Sequence, residues 1–332
     1  MKLAIIGTGG IVAEALVALE SVPEIKKAAV FARPHSREKA EKLAKDYGIG
    51  KVYTDYDELL KESDADFVYI GLINSAHFGY AKKALQNGKN VILEKPFTPT
   101  RREAKELADL ATQRGLYLFE AVTILHMENY KKIKELLPRL GKIRMAQANY
   151  SQYSSRYDKY LAGNVLPAFS PEQAGGALYD INIYNLNFLV SLLGKPKEVS
   201  YAANIGFNGI DTSGAAIMRY DDFTAVSVGA KDSDSPGFIT IQGEKGYLRV
   251  VGAPNQLPAF EFCAGGEPEQ MNFNEPGHRM IAEFKEFAKV FAAGDYETMS
   301  KWLTTSLDVM ETAEKARKSA GIKFPTDDKT ED

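Results

Sequence analysis

A glycine-rich turn within the first twelve residues constrains the fold of this chain more than any other feature. A short apolar run from Leu3 to Ile6 leads into Gly7-Thr8-Gly9-Gly10-Ile11, and a helical pattern follows directly. In a strand–turn–helix unit of this kind, the first glycine permits the tight turn and the second lets the backbone approach a pyrophosphate at the helix N-terminus. The segment therefore predicts a dinucleotide-binding unit, although Val12 occupies a position where Gly or Ala is usual.

Strands and helices alternate at short spacing through the first 121 residues. Apolar runs predict strands at about 3–6, 28–31, 67–70, 90–93 and 117–119, and helical patterns lie between most of them. This alternation is typical of a parallel sheet with helices on both faces. We therefore expect an α/β Rossmann NAD(P)-binding domain over residues 1–121.

The pattern changes after residue 121. Longer strands are predicted at 199–207, 214–220, 223–230, 238–242 and 247–251, and short turns such as Asp221-Asp222 and Gly243-Glu244-Lys245-Gly246 join some of them. Helical patterns lie at about 176–193 and 278–320. We expect residues 122–332 to form an α+β substrate and oligomerisation domain with a large, mainly antiparallel open sheet.

Composition and charge limit the class of partner. The 332 residues include 41 basic and 44 acidic side chains, a net charge of −3, which favours neither nucleic acid nor a membrane surface as the ligand. The single cysteine, Cys263, permits no intrachain disulfide, and we expect a cytoplasmic location. The four histidines are scattered without metal-ligand spacing, so no metal site is predicted. These observations favour a small-molecule substrate.

The turn after the second strand predicts the cofactor. A carboxylate at this turn hydrogen-bonds the adenosine ribose of NAD(H), but residues 25–37 contain no Asp or Glu. Arg33, His35, Ser36 and Arg37 instead offer cations and a hydroxyl to a 2′-phosphate. We therefore favour NADP(H), while NAD(H) stays possible because such charges are also common as solvated residues at a helix entry.

Two further loops follow predicted strands and end at the same edge of the sheet. Leu72, Asn74 and His77 come after the strand at 67–70, and Glu94-Lys95-Pro96 comes after the strand at 90–93. Ligands of such folds bind at the carboxyl ends of the strands. We expect Leu72, Asn74, His77, Glu94 and Lys95 to contribute to the cofactor site, and the lysine to polarise a substrate oxygen.

Together with Gly175-Gly176-Ala177-Leu178-Tyr179-Asp180, these motifs resemble the glucose-fructose oxidoreductase, inositol dehydrogenase and MocA family of nicotinamide-dependent oxidoreductases. The resemblance covers nearly the whole chain. It implies that Lys95 is catalytic. The peptide bond before the proline of this motif is often cis in the family, which implies a cis bond before Pro96. The resemblance further implies that Tyr184, where many family members have His, is the acid/base, as in the subgroup with glucose-fructose oxidoreductase and dimeric dihydrodiol dehydrogenase.

The expected reaction exchanges hydride between NADP(H) and a hydroxyl or carbonyl carbon of a small polyol, sugar or diol. Asp180 and Tyr184 lie four apart in a predicted helix and so share a face. In this mechanism Tyr184 exchanges the hydroxyl proton, Lys95 holds the oxygen and Asp180 orients the two.

Two alternatives stay open at this stage. One is a non-catalytic dinucleotide-binding sensor or scaffold, and the other is a redox-neutral enzyme that recycles tightly bound NAD(H). The long strands of the second domain, together with the resemblance, also predict a homodimer or a larger homo-oligomer that buries one face of the sheet.

Overall fold

A six-stranded parallel sheet forms the centre of the first unit in the computed structural model, which describes residues 1–328. Its strand order, β3-β2-β1-β4-β5-β6, is the order of doubly wound dinucleotide-binding domains. The strands are β1 (Lys2–Ile6), β2 (Lys26–Phe31), β3 (Lys51–Tyr53), β4 (Phe67–Ile70), β5 (Asn90–Glu94) and β6 (Leu118–Ala121). The helices of this part are α1 (Gly10–Leu19), α2 (Arg37–Tyr47), α3 (Tyr56–Glu62), α4 (His77–Gln86) and α5 (Arg101–Arg114).

These elements confirm the α/β fold class and the predicted strands of the first half. β4 is buried at all four residues, as an apolar run in the middle of a parallel sheet requires. β3 and α3 are not predicted from the sequence pattern. β3 has only three residues and begins with an exposed lysine, so its apolar pattern is too short to recognise.

An eight-stranded sheet forms the centre of the second unit. Its order is β14-β13-β12-β11-β7-β10-β9-β8, and only the β7–β10 pairing is parallel. The strands are β7 (Ile143–Ser151), β8 (Glu198–Ile205), β9 (Asp211–Arg219), β10 (Thr224–Ala230), β11 (Phe238–Gly243), β12 (Gly246–Val251), β13 (Phe260–Ala264) and β14 (Glu269–Met271). The helices before β8 are α6 (Glu128–Leu136), α7 (Tyr157–Leu161) and α8 (Ile183–Leu193).

This sheet confirms the mainly antiparallel second half. The turns at Asp221-Asp222 and at Glu244-Lys245 connect antiparallel neighbours, and Gly243 pairs with Gly246 across the second turn. The helix predicted at 176–193 is divided, because residues Leu178–Asn182 form a π-helical turn before α8 begins. At the start of this turn, the Leu178 N–H donates to Asp211 Oδ2 on β9 at 2.6 Å.

The segment from Gly277 to Ser306 packs in the first unit, whereas the change of pattern after residue 121 predicts it in the second domain. The first unit comprises Met1–Thr98, Arg102–Ala121 and Gly277–Ser306, and the second comprises Pro99–Arg101, Val122–Pro276 and the chain from Leu307 onward. The segment contains α9 (Ile281–Ala292) and the beginning of α10 (Tyr296–Ser319). The last four residues of the predicted second domain lie outside the described part of the chain.

Aromatic packing explains why this segment joins the first unit. Phe284 contacts the Tyr69 ring at 5.7 Å between centroids, and Phe287 stacks on Phe119 at 4.7 Å. Phe291 meets Phe67 edge-on at 4.9 Å. α9 therefore covers one face of the parallel sheet with an aromatic stripe.

None of the helices within residues 1–328 combines the length and the apolar character that a membrane span requires.

Candidate active site

The glycine turn has the backbone geometry that a dinucleotide-binding unit requires. Gly7 has φ +118°, in the region that favours glycine, and its N–H donates to the Phe31 carbonyl at 2.9 Å. A Cβ at Gly7 would lie 2.7 Å from the Gly71 carbonyl oxygen. The first glycine of the motif is therefore required by both its conformation and its close neighbour.

Open space lies in front of the next two glycines. Gly9 and Gly10 are exposed, and a Cβ on either would have no atom within 4 Å. Gly9 is also the N-cap of α1, so the unpaired amides of the first turn face this space. Thr8 and Ile11 flank the pair and are half-buried. The turn can thus receive an anionic group against the helix N-terminus without losing a side-chain contact.

The turn after β2 presents its cations to solvent. Arg33, His35 and Arg37 are exposed and Ser36 is half-buried. Arg37 Nε lies 2.8 Å from Glu41 Oε1, so this arginine has a carboxylate partner one helical turn away. Within residues 1–328 no carboxylate pairs with Arg33. Arg33 therefore keeps its charge available to a ligand, whereas Arg37 shares its charge with Glu41.

His77 connects two loops at the carboxyl edge of the sheet. The side chain is fully buried, with Nδ1 at 2.9 Å from the Pro96 carbonyl and Nε2 at 3.1 Å from the Leu72 carbonyl. Burial lowers the pKa of His77, so the ring is neutral and donates from one nitrogen at a time. Its ring thus holds the loop after β4 against the loop after β5. Asn74, in the first of these loops, is half-buried.

Two buried carboxyl groups flank the loop that carries Lys95. Glu94 ends β5 and accepts a hydrogen bond from the Tyr69 hydroxyl at 2.7 Å, and burial raises its pKa. Glu120, on β6, is also buried, and burial raises its pKa to about 7. Lys95 itself is half-buried, and the bond between Lys95 and Pro96 is cis, as the resemblance implies.

The first unit brings its predicted site residues together because of its strand order. β2, β1, β4 and β5 are consecutive neighbours in the parallel sheet. The turns that follow them carry Arg33, the glycine motif, Leu72 and Lys95 respectively. Since the carboxyl ends of parallel strands share one edge, all four turns line that edge.

The second unit holds the other two predicted catalytic residues. Asp180 lies in the π-helical turn and keeps 31% of its side chain exposed. Tyr184 is the second residue of α8, and its buried ring meets the Tyr150 ring edge-on at 6.0 Å. π-helical turns occur frequently at functional sites, because the irregular backbone aims side chains that a regular helix would not.

Three functional candidates in the second unit were not predicted. Lys231 Nζ lies 2.6 Å from Asp180 Oδ2, and Asp211 anchors the π-helical turn at Leu178. The Tyr201 hydroxyl donates to Asp211 Oδ2 at 2.8 Å. The sequence signal for Lys231 is only that a lysine directly follows an apolar strand.

The tyrosines at the end of β7 and in the segment after it, from Tyr150 to Tyr160, serve mainly in packing. Tyr160 stacks on Phe169 at 4.9 Å and on Phe207 at 4.4 Å, and its hydroxyl donates to Asn208. Tyr153 is exposed and donates to Asp158 at 2.6 Å. Of this group, Tyr150 is the residue in ring contact with Tyr184.

Comparison with known proteins adds a family match over most of the chain. A family model described as "Oxidoreductase family, NAD-binding Rossmann fold" matches residues 1–122, and one described as "GFO/IDH/MocA C-terminal domain" matches residues 130–249. The chain is 33% identical over 328 residues to scyllo-inositol 2-dehydrogenase (NADP(+)) IolU of Bacillus subtilis (strain 168), an alignment that covers 98% of this chain and 99% of the relative. It is 27% identical over 340 residues to trans-1,2-dihydrobenzene-1,2-diol dehydrogenase of Oryctolagus cuniculus, covering 97% and 99%.

The fold also matches a solved structure over nearly its full length. The crystal structure of KijD10, a 3-ketoreductase from Actinomadura kijaniata, in complex with NADP and TDP-benzene, superposes with a TM-score of 0.81. The identity is 24%, and the match covers 96% of this chain and 97% of the other. At this identity the likeness supports the fold alone.

Proposed function

The chain belongs to the Gfo/Idh/MocA family of NAD(P)-dependent oxidoreductases, and we propose that it transfers hydride between NADP(H) and the hydroxyl or carbonyl carbon of a small polyol, sugar or diol. Two of its relatives are named for compounds of this class, scyllo-inositol and trans-1,2-dihydrobenzene-1,2-diol. The observation that carries the proposal is the residue set: Lys95 at the carboxyl edge of a dinucleotide-binding sheet, in a chain that also holds Asp180 and Tyr184.

The glycine turn fits the pyrophosphate of a nicotinamide dinucleotide. Gly9 and Gly10 leave open the space that a Cβ would fill, and the first amides of α1 face it. We assign Gly7, Thr8, Gly9, Gly10 and Ile11 to this part of the cofactor.

The turn after β2 supports NADP(H) as the preferred cofactor. The exposed Arg33 guanidinium suits a 2′-phosphate, with Ser36 and Arg37 beside it. The relative IolU is also named for NADP(+). NAD(H) is the alternative, because Glu41 already partners Arg37.

The loops after β4 and β5 complete the proposed cofactor residues. We assign Leu72, Asn74, Glu94 and Lys95 to the nicotinamide end of the dinucleotide. His77 acts there by positioning, since its buried ring lies between the Leu72 and Pro96 carbonyls, donates to one of them and faces no ligand.

The chemical step divides between the dinucleotide and three side chains. When bound, the nicotinamide ring supplies the hydride acceptor or donor. During oxidation, Tyr184 as phenolate takes the proton from the substrate hydroxyl and becomes the phenol, and during reduction the phenol returns that proton. Lys95 donates a hydrogen bond to the same oxygen and stabilises the negative charge that develops there, while Asp180 orients the two.

Fluorescence titration with NADPH and NADH, followed by turnover assays, tests this function. The substrate panel contains scyllo-inositol, a trans-1,2-diol, a hexose and simple carbonyl compounds, each with wild type and Tyr184→Phe. We expect tighter NADPH binding, turnover of a polyol or diol by the wild type, and loss of turnover in the variant at unchanged cofactor affinity. Binding without turnover of any compound would favour a sensor or scaffold. Copurification of a tightly held dinucleotide would favour redox-neutral chemistry.

The outer face of the second sheet supports a homo-oligomer. Met145, Ile217 and Val251 lie on the same face by strand register and are 39%, 43% and 53% exposed. Exposed apolar side chains distributed over one face of a sheet are typical of an interface, and we propose that a second copy covers this face. Light scattering that shows only a 36.6 kDa species would overturn this.

We also propose a cytoplasmic location, because the only cysteine, Cys263, is compatible with a reducing compartment.

A further inference from the structure

A buried lysine in the second unit contacts Asp180. Lys231 directly follows β10, and only 2% of its side chain is exposed. Its Nζ lies 2.6 Å from Asp180 Oδ2, although the two residues are far apart in sequence. The distance is that of a charge-assisted hydrogen bond.

Two further contacts fix the position of this ammonium group. Lys231 Nζ donates to the Ala168 carbonyl oxygen, and it lies 4.2 Å from the centroid of the Phe169 ring. A carboxylate from the π-helical turn, and a carbonyl and an aromatic face from the short turn Pro167–Phe169, therefore hold the lysine. The Asp180 carboxylate is thereby held against a rigid cation rather than against a mobile surface lysine.

Two nearby carboxylates oppose the effect of burial on the pKa of Lys231. Burial lowers the pKa of Lys231, and Arg156 acts in the same direction. Asp180 and Asp211 oppose both effects. Asp211 is itself buried and bonded to Leu178 and Tyr201, so Asp180 is the acidic partner in direct contact with the amine.

Asp180 is the partly exposed member of the pair, at 31% of its side chain. It lies in the π-helical turn, four residues before Tyr184. A carboxylate needed only for packing would have no reason to keep this exposure beside a fully buried cation. In this arrangement the buried Lys231 fixes the orientation of a carboxylate that is itself open to solvent, as supporting residues do for reactive groups in active sites.

We propose that Lys231 is a positioning residue for the dehydrogenase reaction, which holds Asp180 in its ionised form and in a fixed orientation. The effect of Lys231 on catalysis, as part of this inference, rests on the proposed function. The inference also assigns a role to Asp180: a carboxylate paired in this way acts as a fixed negative charge, and the exchanged proton passes through Tyr184.

The titration of Asp180 tests the inference without any assay of turnover. Protein carrying ¹³C-labelled aspartate is titrated by NMR as wild type, as Lys231→Met and as Asp180→Asn, which identifies the Asp180 signal. We expect the Asp180 carboxyl to titrate at a pH higher by roughly one unit or more in Lys231→Met, because the adjacent cation is lost. An unchanged titration overturns the inference.

A stability measurement covers the case in which Lys231→Met does not fold. Asp180→Asn leaves a buried ammonium without its carboxylate, so its melting temperature should fall below that of the wild type. The double variant Asp180→Asn/Lys231→Met removes both charges and should melt higher than Asp180→Asn by roughly 5 °C. A double variant no more stable than Asp180→Asn shows that the two residues are not coupled and overturns the inference.

Kinetics separate positioning from a purely structural role. In Lys231→Met we expect kcat to fall roughly ten- to hundredfold, the acid limb of the kcat/KM profile to move to higher pH, and the Kd for NADPH to stay within about twofold. Lys231→Arg, which keeps the charge, should recover part of the loss. Lys197→Met, which removes an exposed lysine paired with Asp221 in the same unit, is the matched control and should change nothing.

The outcomes distinguish failure of the inference from failure of the proposed function. If the wild type turns over no compound of the panel, the proposed function fails, while the NMR and stability measurements still decide whether Lys231 holds Asp180. If Lys231→Met loses turnover and NADPH affinity together at an unchanged pH profile, Lys231 is structural and the inference is wrong.

Discussion

Val12 and Gly71 share a single space at the centre of the dinucleotide-binding unit, since a Cβ at Gly71 would lie 2.7 Å from Val12 Cγ2. Val12 is fully buried in α1, at the position where this fingerprint usually has a smaller residue. Gly71 directly follows β4, the neighbour of β1 in the sheet. The small residue that allows helix and sheet to approach closely is therefore Gly71 at the end of the strand, instead of a Gly or Ala at position 12 of the helix.

Gly71→Ala should therefore destabilise the protein by roughly 1–3 kcal/mol through overpacking. Ile11 Cγ2, at 3.3 Å from the same Cβ position, restricts relief by movement of the helix. Adding Val12→Ala should recover part of the loss, so that the double variant is more stable than the sum of the single effects. Thermal or urea unfolding of the four proteins checks this, and strict additivity would contradict it.

Arg33→Ala should weaken NADPH binding roughly tenfold and leave NADH binding within about twofold, because the guanidinium is expected to contact only the 2′-phosphate. Arg37→Ala should have a smaller effect, since Glu41 already shares its charge. The readout is the ratio of the two dissociation constants for each variant. Equal losses of affinity for NADPH and NADH would show that Arg33 does not contact the 2′-phosphate. Lys39→Ala, which removes an exposed lysine of the same helix, is the control.

Glu120→Gln should remove a pH-dependent term from the stability of the protein. Burial raises the pKa of Glu120 from 4.5 to about 7, so the folded protein keeps a proton that the unfolded chain releases between these values. Stability contributed by this group is therefore present below pH 4.5, decreases as pH rises to 7, and is constant and lower above pH 7.

The size of this term is about 3 kcal/mol. Melting temperatures of wild type and Glu120→Gln at pH 5 and pH 8 measure it, and the variant should lose less stability between the two pH values than the wild type does. A parallel decrease in both proteins would mean that Glu120 is ionised in the folded state at both pH values.

His77→Ala should lower kcat and NADPH affinity together, by roughly tenfold each, because the ring holds the loops of Leu72 and Lys95 against each other. Loss of the buried ring should also cost about 2–4 kcal/mol of stability. His77→Gln, whose amide also hydrogen-bonds to a carbonyl, should retain part of both functions. An effect on stability without an effect on NADPH binding would show that the two loops keep their positions without the imidazole.

Local sequence patterns were sufficient to predict the buried strands and the tight turns of this fold. Apolar runs such as Phe67–Ile70 predict buried strands, and Gly7 and Gly9 predict the turn that the structure has. The hairpin at Gly243 and Gly246 follows in the same way from its turn residues. Each of these features is decided within about ten residues.

The remaining features depend on distant partners. The pairing of Lys231 with Asp180 and the anchoring of Leu178 by Asp211 join residues that no periodicity connects. The π-helical turn was missed for the same reason, since part of its hydrogen bonding comes from the sheet. The bounds of β7 do not follow from the sequence, because small and polar residues such as Ala146 and Gln147 weaken its pattern.

The aromatic stripe of α9 determines when the packing of the first unit can be completed during synthesis. Phe67 and Phe119 reach the ribosome exit tunnel early, but the helix that covers them is translated only after nearly all of the second unit. A nascent chain of the first 121 residues therefore carries an uncovered aromatic sheet face. The dinucleotide-binding half therefore cannot complete its aromatic packing until its last helix has been translated.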